Sequence, residues 1–383
     1  MNIQQICETY VANTYKRYPV TFVRGAGAHL WDEAGREYID LGSGIAVNIF
    51  GVSDPIWAEA VTRQLAALPH TCNLYYAEPC ARLAEMLCER TGMRKVFFSN
   101  SGAEANECMI KAARKYGEAT GRSTIVTLKD SFHGRTIATL AATGQDVFHQ
   151  HFGPFPAGFA YATPNDLNSV RALCEEQNAC AVMLEVVQGE GGVRALDGDF
   201  LRGVEALCRE RDMLFCIDEV QTGNGRSGEL YAYMVHGLKP DIVSTAKGLG
   251  GGLPIGATLL GEKVKDTLTY GDHGSTFGGN PVSCAGAISI ISRIDKKLLD
   301  EVKAKGQLIK DTLTGAPGVE AVTGMGLMVG IKTVKPAGDV VKECMDNGVL
   351  CLTAKDKVRL LPALNIPVDV LTKALEVIKA ACA

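Results

Sequence analysis

The sequence predicts an α/β protein, with a large domain built on a mostly parallel sheet and a smaller α+β domain after it. Three observations point there. From about residue 78 onward helix-like and strand-like stretches alternate. The strand-like stretches are continuous apolar runs, which fit a parallel sheet covered on both faces. Toward the C-terminus the pattern changes to amphipathic helices and short strands. No repeat, low-complexity tract or Pro/Ser-rich linker divides the 383 residues. The expected organisation is an N-terminal segment 1–50 packing on the small domain, a large domain 51–284 and a small domain 285–383.

In chain order, HLWDEAGREYIDL reads as a hairpin with its turn at Glu33-Ala34-Gly35. PCARLAEMLCERTG carries Leu83, Met86 and Leu87 at helical spacing and a terminating Gly92. KVFFSN follows as a strand. Further strands are expected at TIVTLKD (124–130), ACAVMLEVV (179–187), MLFCID (213–218), DIVSTA (241–246) and ATLLG (257–261). Amphipathic stretches run from about 285 to 314, and short strands fall near LMVGIK (327–332) and VRLLP (358–362).

Composition narrows the function. A 46% hydrophobic content fills a sizeable core, and a net charge of −4 with 39 basic and 43 acidic residues mixed along the chain gives no field for nucleic acid or anionic lipid. The first residues, MNIQQICETYVANTYKRYPV, lack a charged n-region and an apolar h-region, and no apolar run reaches the roughly 18 residues of a membrane span. A soluble, cytoplasmic protein is expected. The thirteen cysteines are odd in number, scattered and without a C-x-x-C pair, so they read as reduced thiols. Cys72, Cys80 and Cys88 recur every eight residues without histidine partners, and His149 and His151 lack a third ligand. No metal site is expected.

Lys247 ends the run DIVSTAK and is followed by GLGGGLPIG; Asp218 ends MLFCID, 29 residues earlier. That spacing is about one βαβ unit, and in an open parallel sheet both side chains would project from the carboxyl edge, where ligands bind. An amine and a carboxylate there meet the needs of pyridoxal phosphate: a Schiff-base partner, and a group that keeps the pyridine nitrogen protonated. A lysine at a strand end is also an ordinary snorkelling residue, so the other segments matter. SNSGAEANE (99–107) opens a helix, where Ser101, Gly102 and Ala103 form either a phosphate cradle or a plain N-cap. In DSFHGRT (130–136), Phe132 could stack on a planar cofactor or belong to the core, while Val220 could pack on the opposite face. Arg135 suits a bidentate grip on a carboxylate or is simply a surface residue. Glu190 sits in the glycine-flanked EVVQGEGGV. Ser275 and Thr276, in HGSTFGGNP, offer hydroxyls to a phosphate or form only a loop. Their joint occurrence, each after a strand or in a glycine-rich turn, favours the cofactor reading.

These residues bring the chain close to a known family. It resembles the class III pyridoxal-phosphate-dependent aminotransferases from about Thr14 to the C-terminus, through TYKRYPV, LWDEAGREYIDLGSGIAVN, FFSNSGAEANE, SFHGRTIATLAATGQ, QGEGGV, DEVQTGNGRSG, AKGLGGGLPIGA, HGSTFGGNP and RLLP. The resemblance implies the fold type I, aspartate aminotransferase-like architecture and a homodimer with two sites at its interface. It implies transfer of the terminal amine of N-acetylornithine to 2-oxoglutarate in arginine biosynthesis. By the same resemblance Lys247 is the Schiff-base lysine, Asp218 the partner of the ring nitrogen and Gln221 the partner of the phenolic oxygen. Phe132 and Val220 sandwich the ring, and Gly102 and Ala103 hold the phosphate with help from Thr276 of the other subunit. Arg135 grips the substrate carboxylate, Arg359 binds the α-carboxylate of glutamate, and Glu190 masks Arg359. Ornithine-specific relatives generally carry tyrosine near His29 and Gly44, so Gly44 favours an acylated ornithine, acetyl and succinyl remaining open. Three departures stand out: Val186 and Ala363 where proline is usual, and GVSDP (51–55) where the family has G-H-x-H-P. Decarboxylation or racemisation on the same cofactor would not need Glu190 and Arg359. A dehydrogenase built on the glycines at 248–252 lacks the G-x-G-x-x-G spacing, and a silent binding protein would not need both Lys247 and Asp218.

Overall fold

The computed structural model describes all 383 residues. Its centre is a seven-stranded sheet in the order Lys95–Ser99, Gly256–Leu260, Ile242–Thr245, Leu214–Asp218, Ala179–Leu184, Thr124–Leu128, Phe159–Ala162. Neighbours from Ile242–Thr245 through Phe159–Ala162 pair in parallel, whereas Gly256–Leu260 runs antiparallel to both of its neighbours. The apolar runs are explained by burial on both faces: Ala179–Leu184, Leu214–Asp218 and Gly256–Leu260 are buried at every position. From Ala181 to Leu184 successive residues feed opposite cores. Ala181 and Met183 pack with Met109 and Ile110 of the Gly102–Glu118 helix, while Val182 and Leu184 join the larger core with Leu201 and Val204 of the Gly198–Glu210 helix. The strand at Phe159–Ala162 was not expected. It is four residues long, pairs on one side only and is mostly half-buried, so it lacks the apolar run that marks its neighbours.

The Glu78–Thr91 helix ends as expected on Gly92, which takes a left-handed conformation (φ 75°) and donates its N–H to the carbonyl of Cys88. The hairpin turn at residues 33–35 also forms. The Asp32 carboxylate accepts the N–H groups of Ala34 (3.0 Å) and Arg36 (2.9 Å) and holds His29–Asp32 against Glu37–Asp40. That hairpin joins Phe22–Ala26 on one side and, in parallel, Val349–Leu350 on the other, so residues 22–40 share a sheet with the C-terminal part of the chain.

A third sheet, antiparallel throughout, is ordered Val319–Met325, Met328–Thr333, Lys357–Leu360, Leu352–Ala354. Val319–Met325 escaped the sequence reading because no residue in it is fully buried. The stretch 285–314, expected to be amphipathic, is two helices, of which only the second has a polar face. Pro281–Ile291 starts where Asn280 accepts the N–H groups of Val282 (2.9 Å) and Ser283 (3.1 Å), and it packs on Pro55–Ala67 and Glu78–Thr91. Lys296–Leu313 starts at the Asp295 cap. The expected change of domain between 284 and 285 therefore falls inside a single helix. The first break after it is at residues 292–295.

Candidate active site

Four parallel strands end side by side at Leu128, Leu184, Asp218 and Thr245, and the side chains of interest leave from this edge. Asp218 is 4% exposed. Its Oδ2 accepts Asn106 Nδ2 at 2.7 Å and lies 2.8 Å from His133 Nδ1, and its Oδ1 accepts the Val220 N–H at 3.0 Å. Burial alone would lower the proton affinity of His133, but the Asp218 carboxylate and Glu185 outweigh it and raise it. A buried carboxylate held from three sides is fixed in direction.

Lys247 opens the turn after the Ile242–Thr245 strand with φ at 44°, the left-handed region, and is partly buried. Strain of this kind persists only where neighbours impose it. Here the neighbour is a second left-handed run, Ser43 (46°), Gly44 (63°), Ile45 (63°) and Ala46 (62°), which packs on the Lys247–Leu249 turn. Asp40 anchors the start of that run by accepting the N–H groups of Gly42 (2.8 Å) and Ser43 (2.9 Å). Burial lowers the proton affinity of the Lys247 amine, with Glu190 and Asp218 opposing and Arg359 assisting. An amine that gives up its proton readily is a competent nucleophile and base.

At the start of the Gly102–Glu118 helix, Ser101 Oγ accepts the Glu104 N–H at 3.2 Å, and the N–H groups of Gly102 and Ala103 have no acceptor within the chain. Two free donors at a helix N-terminus suit a phosphate. Gly102 must be glycine: a Cβ there would stand 2.6 Å from Val220 Cγ1. Ser275 Oγ accepts Asn100 Nδ2 at 3.1 Å, which ties the 273–278 loop to this helix end, while Thr276 beside it is exposed. Phe132 is half-buried, edge-on to Phe148 at 5.8 Å. The exposed Arg135 lays its guanidinium over Phe148 (4.2 Å) and Phe132 (5.5 Å) with no carboxylate in ion-pair range.

Arg359 reaches the same edge from the third sheet. It is 3% exposed, and its Nη1 donates to Glu190 Oε1 at 2.6 Å and to Gln221 Oε1 at 3.1 Å. Burial pushes the Glu190 carboxyl up, but Arg359 and then Lys247 overcome this and lower it. The Arg359 Nε has no partner, so the guanidinium keeps capacity for a further acceptor. Leu352, the strand partner of Arg359, borders a largely apolar cavity of about 390 Å³ together with Tyr18, Gly44 and Ile45.

The structure thus gathers Asp218, Lys247, Gln221, Glu190 and Arg359 into one cluster, with Ser101, Gly102, Ala103 and Val220 at one end and Phe132 and Arg135 at another. His29 lies elsewhere, in the N-terminal sheet, 3.0 Å from Glu37. Of the departures, Val186 and Ala363 are core residues, and Asp54 of GVSDP caps the Pro55–Ala67 helix and pairs with Arg293 at 2.8 Å. Sequence reasoning missed the parts played by His133, Asn106 and Glu185. A signal existed for Asn106, which follows Gly102 by four residues and so shares its helix face. The residues fit pyridoxal phosphate on the chain's own features: unclaimed amides at the helix start, a fixed buried carboxylate and an amine disposed to lose its proton.

Comparison with known proteins agrees. The sequence model of the Aminotransferase class-III family matches residues 10–382. The chain is 51% identical to the acetylornithine aminotransferase of Haemophilus ducreyi over 381 residues, covering 98% of this chain and 97% of that one. Among solved structures it is similar to the N-acetylornithine aminotransferase of Stenotrophomonas maltophilia (TM-score 0.85, 34% identity, 98% and 97% coverage) and to the ornithine aminotransferase of Toxoplasma gondii (TM-score 0.94, 30% identity, 99% and 93% coverage).

Proposed function

The chain belongs to the class-III aminotransferases, and from that premise we propose that it moves the terminal amino group of N-acetylornithine to 2-oxoglutarate, giving N-acetylglutamate 5-semialdehyde and glutamate, a step of arginine biosynthesis. Pyridoxal phosphate, when bound, supplies a carbonyl that holds the amino group and a ring that accepts electrons. The chain's residues do the rest. The Gly102 and Ala103 amides, with Ser101 beside them, hold the phosphate, and Phe132 and Val220 flank the ring. Asp218, fixed by His133 and Asn106, keeps a proton on the ring nitrogen. Gln221 meets the phenolic oxygen. The Lys247 amine binds the cofactor and moves a proton at the amino-bearing carbon of the substrate.

The observation that carries the reading is the Glu190–Arg359 pair at 2.6 Å. Such an enzyme takes a terminal amine in one half-reaction and an α-amino acid in the other. A permanently bare Arg359 would favour glutamate in both. Paired, the two charges cancel while acetylornithine is bound by its carboxylate on Arg135; when glutamate binds, its α-carboxylate replaces Glu190 on Arg359. Gly44 supports the acylated substrate. A Cβ there would meet nothing closer than Asn48 Nδ2 at 3.6 Å, and the position offers no hydroxyl to the charged α-amine of free ornithine. We also propose a homodimer in which Ser275 and Thr276 reach the phosphate of the partner subunit. No helix is long and apolar enough to cross a membrane. The thirteen unpaired cysteines suit a reducing compartment, and the cytoplasm is the location we propose.

The test is a steady-state comparison of N-acetylornithine, N-succinylornithine, free ornithine and 4-aminobutyrate, each with 2-oxoglutarate. N-acetylornithine should have the highest kcat/KM, and Glu190→Ala should shift preference toward glutamate as donor. If free ornithine wins, or if Glu190→Ala slows all donors equally, the substrate assignment is wrong.

A further inference from the structure

Glu185 sits just past the Ala179–Leu184 strand, 6% exposed, and both of its oxygens are taken by backbone. Oε1 accepts the Phe132 N–H at 3.0 Å and Oε2 accepts the Gly189 N–H at 3.2 Å. These amides belong to two different loops. One leaves the Thr124–Leu128 strand and carries Phe132 and, three residues on, Arg135. The other follows Val187–Gln188 and carries Glu190 next to Gly189. The same two loops touch again where Gln188 Nε2 donates to the Lys129 carbonyl at 2.8 Å, and where a Cβ on Gly191 would stand 2.5 Å from the Asp130 carbonyl oxygen. Deeper in the first loop, at Phe132, the carboxylate of Glu185 is the link to Gly189.

We propose that Glu185 is a positioning residue for substrate selection: it clasps the Arg135 loop to the Glu190 loop and so sets the spacing between the group that grips one substrate's carboxylate and the group that masks the other's site. The inference rests on the roles given above to Arg135 and Glu190. The chemistry requires a carboxylate. Two N–H groups converge on it, so two acceptors are needed, and an amide of the same shape offers one acceptor and turns its NH2 toward the other N–H. Glu185→Gln therefore opens one half of the clasp without changing volume. Glu185→Asp keeps both acceptors but withdraws them by one methylene.

Two measurements on the cofactor-loaded protein test this. Hydrogen exchange at the Phe132 and Gly189 amides should be slow in the wild type, and at least one of the two should speed up about tenfold in Glu185→Gln, as the loss of a buried hydrogen bond predicts. Half-reaction kinetics should show kcat/KM for N-acetylornithine, relative to that for glutamate, falling about tenfold through KM, with a smaller fall in Glu185→Asp. Unchanged exchange at both amides, or an equal loss in the two half-reactions, overturns the proposal. So does failure of both variants to fold, which would make Glu185 a residue of the fold alone. If the wild type does not prefer N-acetylornithine to free ornithine, the substrate assignment fails, while the exchange measurement still decides whether the clasp exists.

Discussion

Lys247 and Asp218 stand out in the sequence because each ends an apolar run with a charge, a pattern that local reading detects. Lys247→Ala should abolish turnover and yield a protein whose visible absorbance is no longer fixed by borohydride; normal turnover would remove Lys247 from the chemistry. Asp218→Asn should retain much of the cofactor while activity drops by roughly a hundredfold or more, since an uncharged amide no longer holds the proton on the ring nitrogen. Absorbance titration and steady-state rates on the same sample check both halves of that expectation. The residues around Asp218 were not legible in this way. His133 and Asn106 reach it from 85 and 112 residues away, and nothing in a linear pattern announces which polar side chain a distant carboxylate will meet. The Glu190–Arg359 pair spans 169 residues, and it entered the reading through family resemblance alone.

Among the elements, the central strands were readable where burial on both faces demands an unbroken apolar run, and unreadable where a strand lies at an edge or stays half-exposed, as at Phe159–Ala162 and Val319–Met325. The expected boundary at 284/285 falls within the apolar helix Pro281–Ile291, which has no polar face to mark its extent in the sequence. The Gly102–Glu118 helix gives a test at this scale. Gly102→Ala drives a methyl into Val220, a clash of the overpacking type that costs about 1–3 kcal/mol. Cofactor affinity should fall about tenfold or more by the same estimate, and Val220→Ala in the same chain should recover part of it. Fluorescence titration of the apoproteins distinguishes this from a general loss of fold, in which the second substitution would bring no recovery.

For the molecule as a whole, the alternation of helix and strand announced the main sheet, whereas the N-terminal sheet depends on a pairing across most of the chain, Glu37–Asp40 with Val349–Leu350. Its stability should depend on pH through the fully buried Glu219. Burial pushes this carboxyl up to about 7, against the pull of Thr222 and the N–H groups of Ala232 and Tyr233. With the folded value above the ordinary 4.5, stability is full below that value and is lost as pH rises toward 7, because the unfolded chain releases the proton first. The loss is roughly 3 kcal/mol. Thermal midpoints measured from pH 5 to 8 should decline, and Glu219→Gln should flatten the decline; identical slopes in the two proteins would refute the assignment. The sheet that joins Glu37–Asp40 to Val349–Leu350 also orders events during synthesis. Ile39 leaves the ribosome some 310 residues before its partner Val349, so the N-terminal hairpin must wait with an open edge while nearly the whole chain is translated, and this sheet can close only among the last steps of folding.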